Sequence, residues 1–433
     1  MTTSIATRPS TVTAAATAAT PANRERYVDF LRVLSLAVVV LGHWLMAAVE
    51  WRDGRLVANN VLDVTPAAQW LTWLFQIMPV FFVVGGFSNT ASWAAATRDG
   101  RGYGDWLAGR LHRLVRPVLV FAGVWTALVV GLWAAGVAPA AVRAGSIAQP
   151  LWFLAVYVVV VAVAPMAVSA QRRLGWGVAV ALAGGVATVD LLRWPLGVPA
   201  VGWLNLALVW LLAHQLGVAW RAGGVAAWSR RRLWLVAGVG LGGLVVLTGI
   251  GGYGRSMVGV GGERSNTFPP SLALVALGAW QFGLALLVRP AVDRWLDRPR
   301  AWAAVVAANG VAMTVFLWHL SALAVVAAVT LPTGLLSPPA AGTAEWWVWR
   351  PVWLGALAVT MVPLVWAFAR VELHLRPAPG APGCARAAVA AVLVAAGLAV
   401  LARKGFAGPA MVAGGGLVAG GWALLRRRVW IRA

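Results

Sequence analysis

DFLRVLSLAVVVLGHWLMAAV, residues 29–49, is the stretch whose reading decides the fold. It is long enough to cross the hydrocarbon core of a bilayer, which takes about 20 apolar residues as a helix. Between Arg32 and His43 it carries no other charge. An arginine inside a membrane helix costs roughly 2.5–3.5 kcal/mol on insertion scales, so such a group is expected to face a partner or a cavity. Eleven steps of about 100° bring His43 back to within about 20° of Arg32, some 16.5 Å further along the axis. One helix face thus offers a guanidinium low down and an imidazole higher up.

The rest of the chain has the same character. Of its 433 residues 61% are hydrophobic and only 11% charged, with a mean hydropathy of +0.79. These values exclude a soluble domain of this length and point to a polytopic membrane protein. The net charge of +22 does not indicate nucleic acid here, because the arginines stand in short connections between apolar runs. They read as topology signals and lipid headgroup contacts. A single cysteine, Cys384, has no partner for an internal disulfide and no company for a metal site, and no metal or bound cofactor is expected.

Twelve apolar runs are candidate crossings: 30–50, 69–96, 114–136, 151–170, 175–193, 201–220, 233–253, 271–289, 301–329, 351–370, 386–402 and 407–425. Basic residues concentrate in the tail and alternate loops when both ends are cytoplasmic, which is the expected topology. Residues 1–23, rich in Thr and Ala without an apolar core, read as a disordered cytoplasmic tail. The expected fold is an all-α transmembrane bundle. A ten-helix unit occupies 24–371, a Pro/Gly linker 372–385, and two further helices with a basic C-terminus 386–433. No repeat of 20–50 residues is present.

Topology sorts the five histidines. His112, in the arginine-leucine stretch RLHRLVRP, reads as a headgroup contact, and His374 lies at the cytoplasmic interface. His214 is expected to make an interhelical hydrogen bond. His43 and His319 both stand on rising helices and reach the outer half, where they could meet in one chamber. Asp190, Asn205, Gln281 and Asn309 are further candidates for its lining. Gln149, Trp152 and Tyr157 cluster where the fourth helix enters from outside, as a substrate platform or as part of an aromatic belt. Gly85, Gly86 and Ser88 permit close helix approach or passage of a ligand. The glycine-rich connection GIGGYGRSMVGVGGERSN, residues 249–266, lacks the context of a phosphate loop and reads as a flexible connection over a site.

Four segments, in order, resemble acyltransferase family 3, the integral-membrane O-acyltransferases. RERYVDFLRVLSLAVVVLGH (24–43) resembles that family's first-helix signature, an arginine followed after ten residues by a histidine. MPVFFVVGGFSNT (78–90), PLWFLAVYVVVVAVAP (150–165) and MTVFLWHLSAL (313–323) resemble its later motifs, with Gly85 where a serine is usual. The resemblance covers residues 24 to about 371.

It implies transfer of an acyl group, acetyl in the first instance, from cytoplasmic acyl-CoA as co-substrate. The acceptor would be a hydroxyl of an envelope carbohydrate, a glycolipid or a small natural product, and the expected location the plasma membrane, the inner membrane of a bacterium. His43 would be the general base, with His319 orienting it and Arg32 holding an anionic part of the donor; Arg110, Arg113 and Arg116 would receive the donor's phosphates. Trp152, Tyr157, Asp190 and Asn309 would contact the acceptor. A transporter or flippase using the same intramembrane Arg and His is the competing reading.

Overall fold

The computed structural model describes residues 24–136, 147–261, 264–373 and 382–425. Among these, twelve long helices follow one another: α1 Arg26–Met46, α2 Met78–Arg98, α3 Tyr103–Ala134, α4 Leu151–Leu174, α5 Gly177–Arg193, α6 Asn205–Arg221, α7 Arg230–Gly249, α8 Leu272–Leu296, α9 Pro299–Thr330, α10 Ala344–Leu373, α11 Cys384–Lys404 and α12 Gly408–Leu425. Each falls on one of the twelve apolar runs. Eleven helical stretches are long and apolar enough to cross a membrane, α6 among them once the helical turns from Pro199 are included, and α5, with 17 residues, is not one of them. The protein is a polytopic helical bundle.

Three crossings differ from the sequence reading. The first crossing ends at Met46, and residues 47–60 leave the helix as an antiparallel hairpin, β1 Ala47–Arg52 and β2 Arg55–Asn60, in register from Ala47 opposite Asn60 to Arg52 opposite Arg55. Its two-residue turn is Asp53–Gly54, both at positive φ, the backbone that matches the strand twist. The second crossing is interrupted. Pro66 opens a run of short helical turns to Phe75, Gln76 is non-helical, and Pro79 then sits in the first turn of α2, where its missing N–H costs nothing. The third helix instead begins early: RLHRLVRP lies inside the continuous α3, with Pro117 in its interior.

α2 and α6 are pressed together at two glycines. A Cβ on Gly86 would lie 1.9 Å from the His214 carbonyl oxygen, and one on Gly217 would lie 1.9 Å from that of Val83. Neither carbonyl can yield without parting the helices. Gly86→Ala is therefore expected to lower stability by on the order of 1–3 kcal/mol, the cost of overpacking a dense interior. Gly184→Ala, at a position open to its surroundings, is expected to change nothing. Thermal unfolding of both variants in one detergent checks this, and equal midpoints would contradict the packing argument.

The last two helices pack on the bundle. Phe406, between α11 and α12, lies in edge contact with Phe121 and parallel to Trp125 of α3, and Trp422 of α12 covers the His112 ring at 4.3 Å between centroids. His112 thus faces protein and not headgroups, because α3 carries it beneath α12. His374 lies outside the described residues.

Candidate active site

Polar residues on the interior faces of α1, α2 and α9 gather in two places, one toward each end of the bundle. Arg32 on α1 answers the question posed by its position: Nη1 donates to Asp29 Oδ1 at 2.7 Å, one turn earlier, and Nη2 to Ser88 Oγ of α2 at 2.8 Å. The other Asp29 oxygen is held by Arg24 at 2.5 Å. Asn309 of α9 donates to the Asp29 backbone carbonyl at 3.2 Å. It therefore ties α9 to α1 at the arginine level.

Next to Ser88, the fully buried Asn89 forms a second knot. Its Oδ1 accepts from Arg110 of α3, and its Nδ2 meets His214 Nε2 of α6 at 3.2 Å. Arg110 also contacts the Tyr157 hydroxyl of α4 and feels the charges of Arg32 and Arg113. The expected trio of surface arginines is therefore divided. Arg110 points into the bundle because α3 is helical through this stretch, Arg113 is exposed, and Arg116 lies between in burial. Tyr157 belongs to this inner knot and packs against Phe81, Phe82 and Phe153. The small residue at position 85 makes that possible, since a Cβ there would lie 2.9 Å from the Tyr157 ring.

The second place is the end of α1. His43 Nδ1 stands 2.9 Å from His319 Nε2 of α9, with the ring planes within 6° of parallel. His319 is fully buried, its Nδ1 is 2.6 Å from the Phe316 carbonyl, and the Trp44 indole donates to the His319 carbonyl at 3.0 Å. A carbonyl oxygen can only accept, so His319 Nδ1 carries the proton and, in the neutral ring, its Nε2 is bare. The single proton between the rings then sits on His43 Nδ1. His43 Nε2 is left with a free lone pair, the form a general base requires.

His43 lines a cavity of about 230 Å³ whose walls come from the end of the bundle where α1 stops and α4 starts. Trp152 and Gln149 line it, whereas Tyr157, less than two turns further along α4, does not. Phe153 of α4 and Phe316 of α9 form its floor and are in edge contact with each other, centroids 5.6 Å apart. Beyond Phe153 lie Phe82, Trp210 and Tyr157, so an aromatic layer stands between the two polar places.

The glycine-rich connection forms the roof, with Val258, Gly259, Thr267 and Phe268 in the wall. It is pinned to the broken segment before α2. Met257 N–H donates to Thr72 Oγ1 at 2.8 Å, the Met257 carbonyl accepts from Gln76 at 3.0 Å and from Thr267 at 2.7 Å, and the Trp73 indole reaches the Arg255 carbonyl at 2.9 Å. Gln281 of α8 in turn donates to the Gln76 carbonyl at 3.1 Å. Gln281 therefore builds the wall and does not face the cavity.

Asp190 also lies apart from the cavity. One oxygen accepts from Asn205 at 2.9 Å, the other from the Tyr253 hydroxyl at 3.0 Å and the Leu272 N–H at 2.7 Å. With its oxygens so engaged it fastens α5, α6 and the start of α8 to the roof. Ser88, Asn89 and His214 are the site residues that the sequence reading left out of the chemistry, and the SNT of the second-helix motif was the signal that could have found them. Among the described residues no group of three or more His, Cys, Asp and Glu is placed to hold a metal ion.

Comparison with curated proteins and with solved structures gave no match. The pattern of the Acyltransferase domain family, by contrast, matches residues 25–370, which take in Arg32, the inner knot, the His43–His319 pair and the roof. The chain therefore belongs to acyltransferase family 3 and is a multi-pass membrane acyltransferase.

Proposed function

We propose that the protein transfers an acyl group from a cytoplasmic acyl-CoA to a hydroxyl presented in the outer cavity, with His43 as general base. The observation that carries this reading is the proton placement along Phe316, His319 and His43, which leaves His43 Nε2 bare at a cavity wall. In the step, the acceptor oxygen attacks the thioester carbonyl as His43 Nε2 takes the hydroxyl proton. The tetrahedral intermediate collapses, the carbon–sulfur bond breaks, and the thiolate leaves with the proton returned by His43. His319 accepts the Nδ1 proton's hydrogen bond throughout and so orients the imidazolium.

Several features support the two-sided arrangement. Arg32 and Arg110 provide guanidinium groups toward the arginine-rich end, suited to an anionic donor. The ~16.5 Å rise from Arg32 to His43 is of the order of an extended pantetheine arm. To pass, that arm needs Phe153 and Tyr157 to swing aside. The cavity wall contains no charged side chain, His43 being neutral; amides of Asn60, Gln76 and Gln149 and the face of Trp152 suit an uncharged polyol, which favours a neutral sugar or glycolipid acceptor in the cell envelope.

The test uses purified protein in vesicles with acyl-labelled acetyl-CoA and a panel of neutral sugars and glycolipids. Ester-linked label in one acceptor is the expected result, abolished when the donor is omitted. Movement of an acceptor across the vesicle wall with no label transfer would reject the proposal in favour of transport.

A further inference from the structure

Away from the transfer site, a cavity of about 290 Å³ lies among α2, α5, α6, α7 and α8. Its wall is hydrocarbon apart from the indoles of Trp176 and Trp228. A second cavity, of about 310 Å³, opens at the arginine-rich end of the same helices and contains Arg221, Arg289 and Glu25. α2, α6, α7 and α8 line both, whereas α5 lines the apolar one alone. On α2 Pro79 and Val83 face the apolar cavity and Phe87 the charged one, at steps of four residues. On α6 Leu212 and Leu216 are followed by Trp220, and on α8 Phe282 is followed by Leu286 and Arg289. Steps of three and four residues keep one face of a helix, so the charged cavity continues the apolar one by a single turn.

We infer that this continuous groove binds one anionic phospholipid of the leaflet at the arginine-rich face, with a hydrocarbon chain between α5 and α7 and the phosphate at Arg221. The chemistry of the two halves selects such an amphiphile. A wall without hydrogen-bonding partners suits a hydrocarbon chain and would leave polar groups unsatisfied. Arg289 is already engaged by Glu25 at 3.1 Å and Asp293 at 3.2 Å. Arg221 is exposed, has no carboxylate partner among the described residues and lies over the Phe87 ring at 5.7 Å. It is therefore the cation open to a phosphate. Trp176 and Trp228, parallel to within 26° and 5.0 Å apart, stand at the junction, the depth at which indoles settle between chain and headgroup.

The groove is separate from the transfer site, so its test reads lipid and not product. Protein stripped of lipid in detergent is supplied with phosphatidylglycerol or phosphatidylcholine and examined by native mass spectrometry. One tightly retained phosphatidylglycerol is expected, with phosphatidylcholine held roughly tenfold more weakly, because its choline cation offsets the phosphate charge and is repelled by Arg221 and Arg289. Arg221→Gln, at an exposed position, should weaken phosphatidylglycerol by about the same factor. Ala279→Trp, which fills the apolar half, should abolish retention while size-exclusion elution is unchanged. Equal retention of both lipids by the native protein, or full retention of phosphatidylglycerol by Arg221→Gln, would overturn the assignment.

Discussion

His43→Ala is expected to lower the turnover of acyl transfer by about 10²–10⁴-fold, the usual contribution of a positioned general base, while the protein stays folded. The expectation rests on which atoms are committed. His43 uses Nδ1 to donate to His319 and its side chain has no other hydrogen-bond partner among the described residues, so its removal takes away the base and leaves α1 anchored to α9 through Trp44. His319→Ala should cost less, because the imidazole of His43 survives but can then adopt either tautomer. That variant should also recover part of its activity as His319→Gln, whose amide oxygen can accept from His43 Nδ1. The measurement is label transfer under saturating donor, with thermal unfolding as the check on folding. Retained turnover in His43→Ala would remove the base from the mechanism, and equal losses in His319→Ala and His319→Gln would remove the orienting role.

The helices were legible because their signal is local: about 20 apolar residues suffice to define a crossing whatever lies beside it. The Arg32–His43 face was legible for the same reason, since helical periodicity alone places them. Its true partner was within reach too, for Asp29 stands at the i−3 position from which a carboxylate meets an arginine. The hairpin at 47–60 was hidden by hydrophobicity, which ran the crossing on past Met46. Asp53–Gly54 between two short alternating runs was the countersignal.

What could not be read was lateral arrangement. Arg110 looked like one of three equivalent arginines for the donor's phosphates, since sequence gives the sign of a charge but not the neighbour its helix face meets. Tyr157 and Trp152 looked like one platform, yet five steps along α4, a net turn of about 140°, send them to opposite sides of the aromatic layer. The roof over His43 depends on Met257, which is remote in sequence from Thr72 and Gln76 and joined to their side chains only through its backbone N–H and carbonyl.

Arg32→Met should reduce kcat/KM for the donor by roughly 10–100-fold, the effect of losing one charge-assisted contact at about 1.5–3 kcal/mol. The fold should tolerate the change. Asp29 keeps Arg24 on its other oxygen, so no buried carboxylate is abandoned, which is what makes the breaking of an intramembrane pair severe. Arg32→Lys should fall between the two, because one ammonium cannot span Asp29 and Ser88 as the guanidinium fork does. The loss should appear in the donor's KM and leave that of the acceptor in place, since the aromatic layer separates Arg32 from the outer cavity. Arg110→Gln provides the decisive comparison. If both guanidiniums hold the same anion, the double variant should lose less than the sum of the two single losses, as residues sharing a ligand do not act independently. Strict additivity, or a change in the acceptor's KM alone, would place Arg32 outside the donor site and leave it as a helix-packing residue.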